Sequence, residues 1–357
     1  MARTTPLRII DGHNDALLRM HLDGITFLER SETGGLDLPR AREGGLAGGL
    51  FAVYILSEGV TLPASGEDAA RLATAGFPGE GETPSLPGLD YSRAQAIRAV
   101  ADLFRLERAS NGQIALVRTA AELERAIETG VLAAVLHFEG AEAIDRELDA
   151  LEVFYRAGLR SLGIVHSRPN IFGHGVPFGF PGSPNTGPGL TEAGRNLVTA
   201  CNRLRIMIDL SHLNERGFWE VAELSDAPLV ATHSCAHSIC PATRNLTDAQ
   251  LGAIGETSGM IGLNFHVGFL REDGAIDTAT PLEVLVRHID HMVEIAGIDC
   301  VGLGSDFDYI AALRDLASAA HLPRLVEALR AGGYDGDDLD KVLYRNWIRV
   351  LRATWGE

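Results

Sequence analysis

Apolar runs that break off into polar residues recur along the chain, and eight of them have the length of strands. They cover residues 8–11, 48–56, 132–138, 161–165, 206–210, 229–231, 260–265 and 301–304. Between most of them the apolar spacing changes to threes and fours. Residues 92–109 place Ala96, Val100, Leu103 and Leu106 on one helical face. Residues 119–128 open with Thr119 and Glu122, a capping-box pair. Helical patterns follow over 190–204, 215–224, 247–254, 282–295 and 322–329. Strands alternating with helices imply a parallel sheet, and eight such units predict an α/β fold closed into a (β/α)8 TIM barrel. A doubly wound open sheet is the competing arrangement.

Two segments rich in Gly and Pro, 57–89 and 167–189, follow the second and fourth predicted strands. Both then emerge on the C-terminal face of the barrel, where active sites form and where long loops are commonly functional. No repeat or linker divides the chain, so residues 1–357 are expected to form a single domain.

Composition narrows the function. A net charge of −17 disfavours nucleic acid and anionic membrane surfaces as partners, since both call for a basic face. No stretch approaches the ~18 uninterrupted apolar residues of a membrane span. Neither a signal-peptide core nor a hydrophobic tail is visible, which makes the cytoplasm the expected location. Cys201, Cys235, Cys240 and Cys300 form no Cys-x-x-Cys pair and read as buried free thiols. Lys341 is the only lysine, in a polar stretch far from any strand end, so a Schiff base or a metal-bridging lysine carbamate has no residue to use.

The chemistry is concentrated at predicted strand ends. The first strand runs into Asp11-Gly12-His13-Asn14-Asp15, where His13 and Asp15 share a side of an extended segment. Glu139 ends the third strand and His166 the fourth; His212 follows the fifth, His233 the sixth and Asp306 the eighth. Polar residues at these ends converge on the barrel axis. His13, Asp15, Glu139, His212 and His233 are too many donors for one zinc with an open position, but suffice for two metals bridged by a carboxylate. Glu139 is the expected bridge. A water shared by two such metals loses a proton near neutral pH. Asp306 is placed to take and return that proton, and His166 to stabilise a developing oxyanion. His288 and His291 lie on a helical pattern and read as surface or packing residues, while His137 is expected one layer below Glu139.

These motifs resemble the renal (membrane) dipeptidases and their bacterial relatives. The likeness is carried by Asp11-Gly-His13-Asn-Asp15, Phe138-Glu139-Gly140, Asp209-Leu-Ser-His212, Thr232-His233-Ser234, Arg244-Asn245 and Gly304-Ser-Asp306-Phe-Asp308. It extends from the first strand to Asn346-Trp347-Ile348-Arg349-Val350. The resemblance implies a binuclear zinc dipeptidase of the amidohydrolase superfamily, often dimeric, so two zinc ions per chain and a homodimer are expected. By that likeness His13 and Asp15 hold one zinc, His212 and His233 the other, and Glu139 bridges. Asp306 is implied as acid/base, His166 as the contact to the tetrahedral intermediate, and Arg244 as the residue that grips the dipeptide's carboxylate. Relatives tolerate, and some prefer, a D-residue at the C-terminal position. The chain departs from the family where Asn264-Phe265-His266 replaces a common tyrosine and where Tyr309, rather than glycine, follows Asp308. Another metal-dependent amidase or lactonase of the same barrel type is the nearest alternative. A non-catalytic binding barrel is the alternative from a different class.

Overall fold

The structure, a computed structural model, describes residues 7–60 and 86–356. Residues 61–85 of the predicted 57–89 loop thus lie outside the described residues. Among the described residues nine strands are present: β1 (Ile9–Asn14), β2 (Leu46–Tyr54), β3 (Ile114–Leu116), β4 (Leu132–Glu139), β5 (Leu159–Gly163), β6 (Met207–Asp209), β7 (Val230–Ser234), β8 (Met260–Leu263) and β9 (Val301–Leu303). All of their pairings are parallel. The sheet runs β2-β1-β9-β8-β7-β6-β5-β4, and β2 pairs again with β4 from Gly48↔Ala133 to Tyr54↔Glu139. That pairing closes eight strands into a barrel ringed by helices. The open-sheet alternative is thereby excluded.

The ninth strand, β3, had no sequence signal. It is three residues long and lies beside the first residues of β4, which pairs with β5 only from Leu136 onward. Helices Ala16–Asp23, Leu38–Gly44 and Asp149–Ala157 also escaped the pattern, being short. The predicted cap at Thr119 is present, its side chain accepting the Glu122 N–H, but the Glu122 carboxylate accepts from the Arg118 N–H instead of closing the capping box. Among the described residues no helix is long and apolar enough to cross a membrane.

The apolar core has two layers. The larger lies between the barrel wall and the surrounding helices. The smaller fills the barrel interior with Ile10, Leu50, Ala133, Val135, Met207, Val230 and Met260, and Trp347 inserts among them from helix Asn346–Trp355. Its indole N–H donates to the Leu303 carbonyl at 3.0 Å. Glycine makes room for it: a Cβ on Gly12 would stand 2.3 Å from Trp347 Cζ2 and 2.4 Å from the Thr232 carbonyl oxygen. Along β4 the inward positions read Ala133, Val135, His137, Glu139, apolar at the floor and polar at the mouth.

Emptying that floor is the substitution most damaging to the fold. Trp347→Ala is expected to lower stability by about 3–5 kcal/mol, as large cavities in packed interiors do, measured by denaturant unfolding.

Candidate metal centre

The strand ends converge on Glu139. Its Oε1 lies 2.9 Å from His212 Nε2, 3.4 Å from His233 Nε2, 3.7 Å from His13 Nε2 and 4.0 Å from His166 Nε2. Asp306 Oδ1 stands 3.7 Å from the same His13 nitrogen. His212 and His233 turn their Nε2 atoms toward each other at 3.0 Å. Three groups of donor atoms lie within 4.8 Å of one another: His13, Asp15 and Glu139; Glu139, His166 and His212; and His13, Asp209 and His233. Arg244 is buried behind His233, donating to the His233 carbonyl at 2.8 Å and to Ser234 Oγ at 2.9 Å.

Local backbone irregularity aims these side chains. The pairing of β1 slips between Asp11 and Asn14, and that of β7 between Ala231 and Ser234, so a break in register spans His13 and His233 in turn. Such irregularities re-aim side chains at barrel rims. Asp15 has left the strand and occupies the N-cap position of helix Ala16–Asp23. His166 and His212 each lie three residues beyond their strands, in loops; His212 has φ +67° and Asp306 φ +61°. Non-glycine residues hold that conformation only where their surroundings enforce it. The 167–189 segment helps to do so: Val176 N–H donates to the His212 carbonyl at 2.8 Å, and Ser167 Oγ lies 2.7 Å from His212 Nδ1.

Burial dominates the electrostatics. It holds His13, His166, His212 and His233 well below the ordinary imidazole range, so these rings are neutral. It pushes Asp15 and Glu139 well above the carboxylate range, with repulsion from Glu139 and Asp306, respectively, adding to it. Asp306 is raised to about 6 by burial, against the opposing hydrogen bond from Asn264 Nδ2 at 2.8 Å. Both ring nitrogens of His13 and Oδ1 of Asp15 are buried without a hydrogen-bond partner among the described residues. Neutral imidazoles and crowded carboxylates gathered this closely offer lone pairs that a divalent cation is suited to receive. The donors are nitrogen and oxygen throughout. Cys235 and Cys240 are buried free thiols whose sulfurs face the carbonyls of Asn264 and Gly268.

Several supporting residues were not singled out from the sequence. Asp209 is near His13 and His233, but its oxygens already accept from the N–H groups of Ser211 and Thr232 and from the Thr232 hydroxyl at 2.6 Å. With its proton given to Asp209, Thr232 Oγ1 accepts from His233 Nδ1 at 2.8 Å, which leaves His233 Nε2 as a bare lone pair. Asp11 accepts from the Ser305 N–H and hydroxyl at 2.6 and 2.7 Å, and Asp306 N–H donates to the His13 carbonyl at 3.0 Å. These bonds fasten β1 to the loop after β9. Tyr54, the last residue of β2, packs its ring 4.6 Å from that of His166. Its inward position followed from strand alternation, which was the available signal.

The remaining histidines divide as their surroundings dictate. His137 is fully buried below Glu139, against Ser161 Oγ at 2.8 Å. His288 is buried, receiving the Ala236 N–H and facing the Leu270 carbonyl; His291 pairs with Asp248 at the surface. His266 accepts the Ala311 N–H at Nδ1 and ties β8's outgoing chain to the loop after β9. Thr232→Val, which removes the hydroxyl that fixes the His233 tautomer, is expected to weaken divalent-metal affinity about 10–100-fold in a chelator competition.

Comparison with known proteins comes to the same place. A family model described as membrane dipeptidase (peptidase family M19) matches residues 3–355. A metallo peptidase from Rhodobacter sphaeroides, solved with a phosphinate mimic of the dipeptide L-Ala-D-Ala, is 48% identical; the match covers 98% of this chain and 100% of that one, with a TM-score of 0.91. A solved family M19 metallo peptidase, dipeptidase AC, is 47% identical over 99% of this chain and 100% of its own, with a TM-score of 0.90. An uncharacterized protein in the pqqA 5' region of Klebsiella pneumoniae is 51% identical over 72% of this chain and 94% of its own.

Proposed function

Because the chain belongs to the membrane dipeptidase family, peptidase family M19, and is a metallo-dipeptidase, we propose that it works as a binuclear zinc enzyme acting on dipeptides. His13 and Asp15 hold one zinc, His212 and His233 the other, and Glu139 bridges them. The observation that carries this reading is the convergence of four imidazole Nε2 atoms within 4.0 Å of one Glu139 oxygen, with Asp15 alongside. Two zinc ions bound there supply Lewis acidity toward the scissile carbonyl and a water acidic enough to attack at neutral pH.

The chain's own residues supply the rest. Asn264 pins one oxygen of Asp306 and leaves Oδ1 toward His13, so that Asp306 takes a proton from the attacking water and passes it to the departing amine. His166, held neutral and wedged between the rings of Tyr54 and His212, donates to the oxyanion that forms as the carbonyl is attacked. Arg244 keeps a buried Nε–H without a partner among the described residues, and its fork suits the dipeptide's free carboxylate. Acceptance of a D-residue at the C-terminal position is supported by the L-Ala-D-Ala mimic bound to the Rhodobacter relative. The four buried free thiols suit a reducing compartment, the cytoplasm, and the family resemblance supports a homodimer.

Elemental analysis of the purified protein is expected to give two zinc per chain, and one metal or none after zinc supplementation would overturn the bridged site. Asp306→Asn should retain that metal while losing about 10²–10⁴ in kcat; an active variant would remove Asp306 from proton transfer. Arg244→Ala is expected to raise KM on free dipeptides and to spare their C-terminal amides, with equal losses on both arguing against the carboxylate contact.

A further inference from the structure

Beside the donor cluster lies a cavity of about 380 Å³, between the chain segments that follow β1 and β9. Arg19, Asp23, Gly34, Asp308 and Tyr309 are among the residues that line it. Four polar atoms of that lining are buried without a hydrogen-bond partner among the described residues: Arg19 Nε, Asp23 Oδ2, Asp308 Oδ2 and the Tyr309 hydroxyl. Buried polar groups are nearly always paired, so four in one cavity mark a place that receives something polar.

The charges decide what it receives. The outer nitrogens of Arg19 already donate to the Leu36 carbonyl, Ser31 Oγ and the Thr33 carbonyl. Gly34 lies so tightly on this guanidinium that a Cβ there would fall 1.9 Å from Cζ, which fixes it in place. Asp308 is 7% exposed; its Oδ1 accepts the Gly35 N–H at 2.6 Å and lies 3.6 Å from Arg19, while Oδ2 is left over. Asp23 Oδ2 stands 3.6 Å from Arg19 Nε, beyond hydrogen-bond range. Two carboxylates therefore face one immobilised guanidinium, with acceptors to spare and an excess of negative charge. The cavity also adjoins the donor cluster: Asp15 N–H donates to the carbonyl of Phe307, itself a lining residue.

We propose that this cavity is the subsite for the side chain of the substrate's amino-terminal residue, and that it takes a side chain ending in a cation, as lysine does. The inference rests on the dipeptidase reading above. With the C-terminal carboxylate held by Arg244 beyond β7, the amino-terminal residue lies toward His13 on β1 and Asp15 just after it, the side of the centre that the cavity adjoins. A side-chain ammonium there donates to Asp308 Oδ2, Asp23 Oδ2 and the Tyr309 hydroxyl, whose oxygens otherwise lack a hydrogen-bond partner among the described residues.

The zinc-loaded enzyme is to be assayed on L-Lys-D-Ala and L-norleucyl-D-Ala, whose side chains share four carbons and differ by the terminal ammonium. The expected kcat/KM favours the lysyl substrate by about ten- to a hundredfold, the range of a buried charge-assisted hydrogen bond. Asp23→Asn and Tyr309→Phe should each reduce that ratio several-fold and leave hydrolysis of L-Ala-D-Ala unchanged. Equal rates on the two substrates, a preference that survives both substitutions, or one found only for L-Ala-D-Lys would overturn the subsite. Failure of the unaltered enzyme on every dipeptide would instead overturn the reading on which it rests.

Discussion

At the mouth of the barrel a buried carboxylate is surrounded by imidazoles that burial keeps neutral, with two further carboxylates close by. Neutral rings cannot compensate an ionised Glu139, and an uncompensated buried charge costs about several kcal/mol. Folding alone therefore leaves the cluster unfinished, and a cation is what completes it. Much of the surrounding architecture makes sense as what holds this unfavourable grouping together. The left-handed backbone at His212 and Asp306, the breaks in register spanning His13 and His233, and the loop bonds onto His212 all resist relaxation of the cluster.

The second layer of bonds follows a common logic. Two of the polar residues that face the centre, His233 and Asp306, are oriented by a neighbour's hydrogen bond. Thr232 can accept from His233 because Asp209 has taken its proton, and Asp306 presents one oxygen because Asn264 holds the other. Arg244 is set in direction by two acceptors on its own strand-end segment. Preorganisation of this kind means little reorganisation is left for the reaction itself.

Most of this arrangement was readable from residue patterns, for identifiable reasons. Strands buried on both faces print long apolar runs, so the eight barrel strands stood out, and the histidines and carboxylates that end them were conspicuous by contrast. Glu139 lay at the register expected from Ala133 and Val135. His13 and Asp15 came together by a different route: simple alternation placed them side by side, whereas β1 loses its regular register there and Asp15 has become a helix cap. His166 was expected at a strand end and lies in a loop three residues on. The three-residue β3 and the short helices left too little periodicity to detect. Roles such as those of Asp209, Thr232 and Asn264 depend on contacts between distant segments, which no local pattern encodes.

The strand that begins the barrel and the strand that completes it are neighbours, pinned by bonds between Asp11 and Ser305 across 294 positions of sequence. The interior floor is filled by Trp347, from a helix later still. During synthesis, then, His13 and Asp15 must wait for almost all of the chain before Asp306 can join them, and contacts this remote form slowly. The centre with its acid/base residue in place is thus completed only when the first and last strands of the barrel meet.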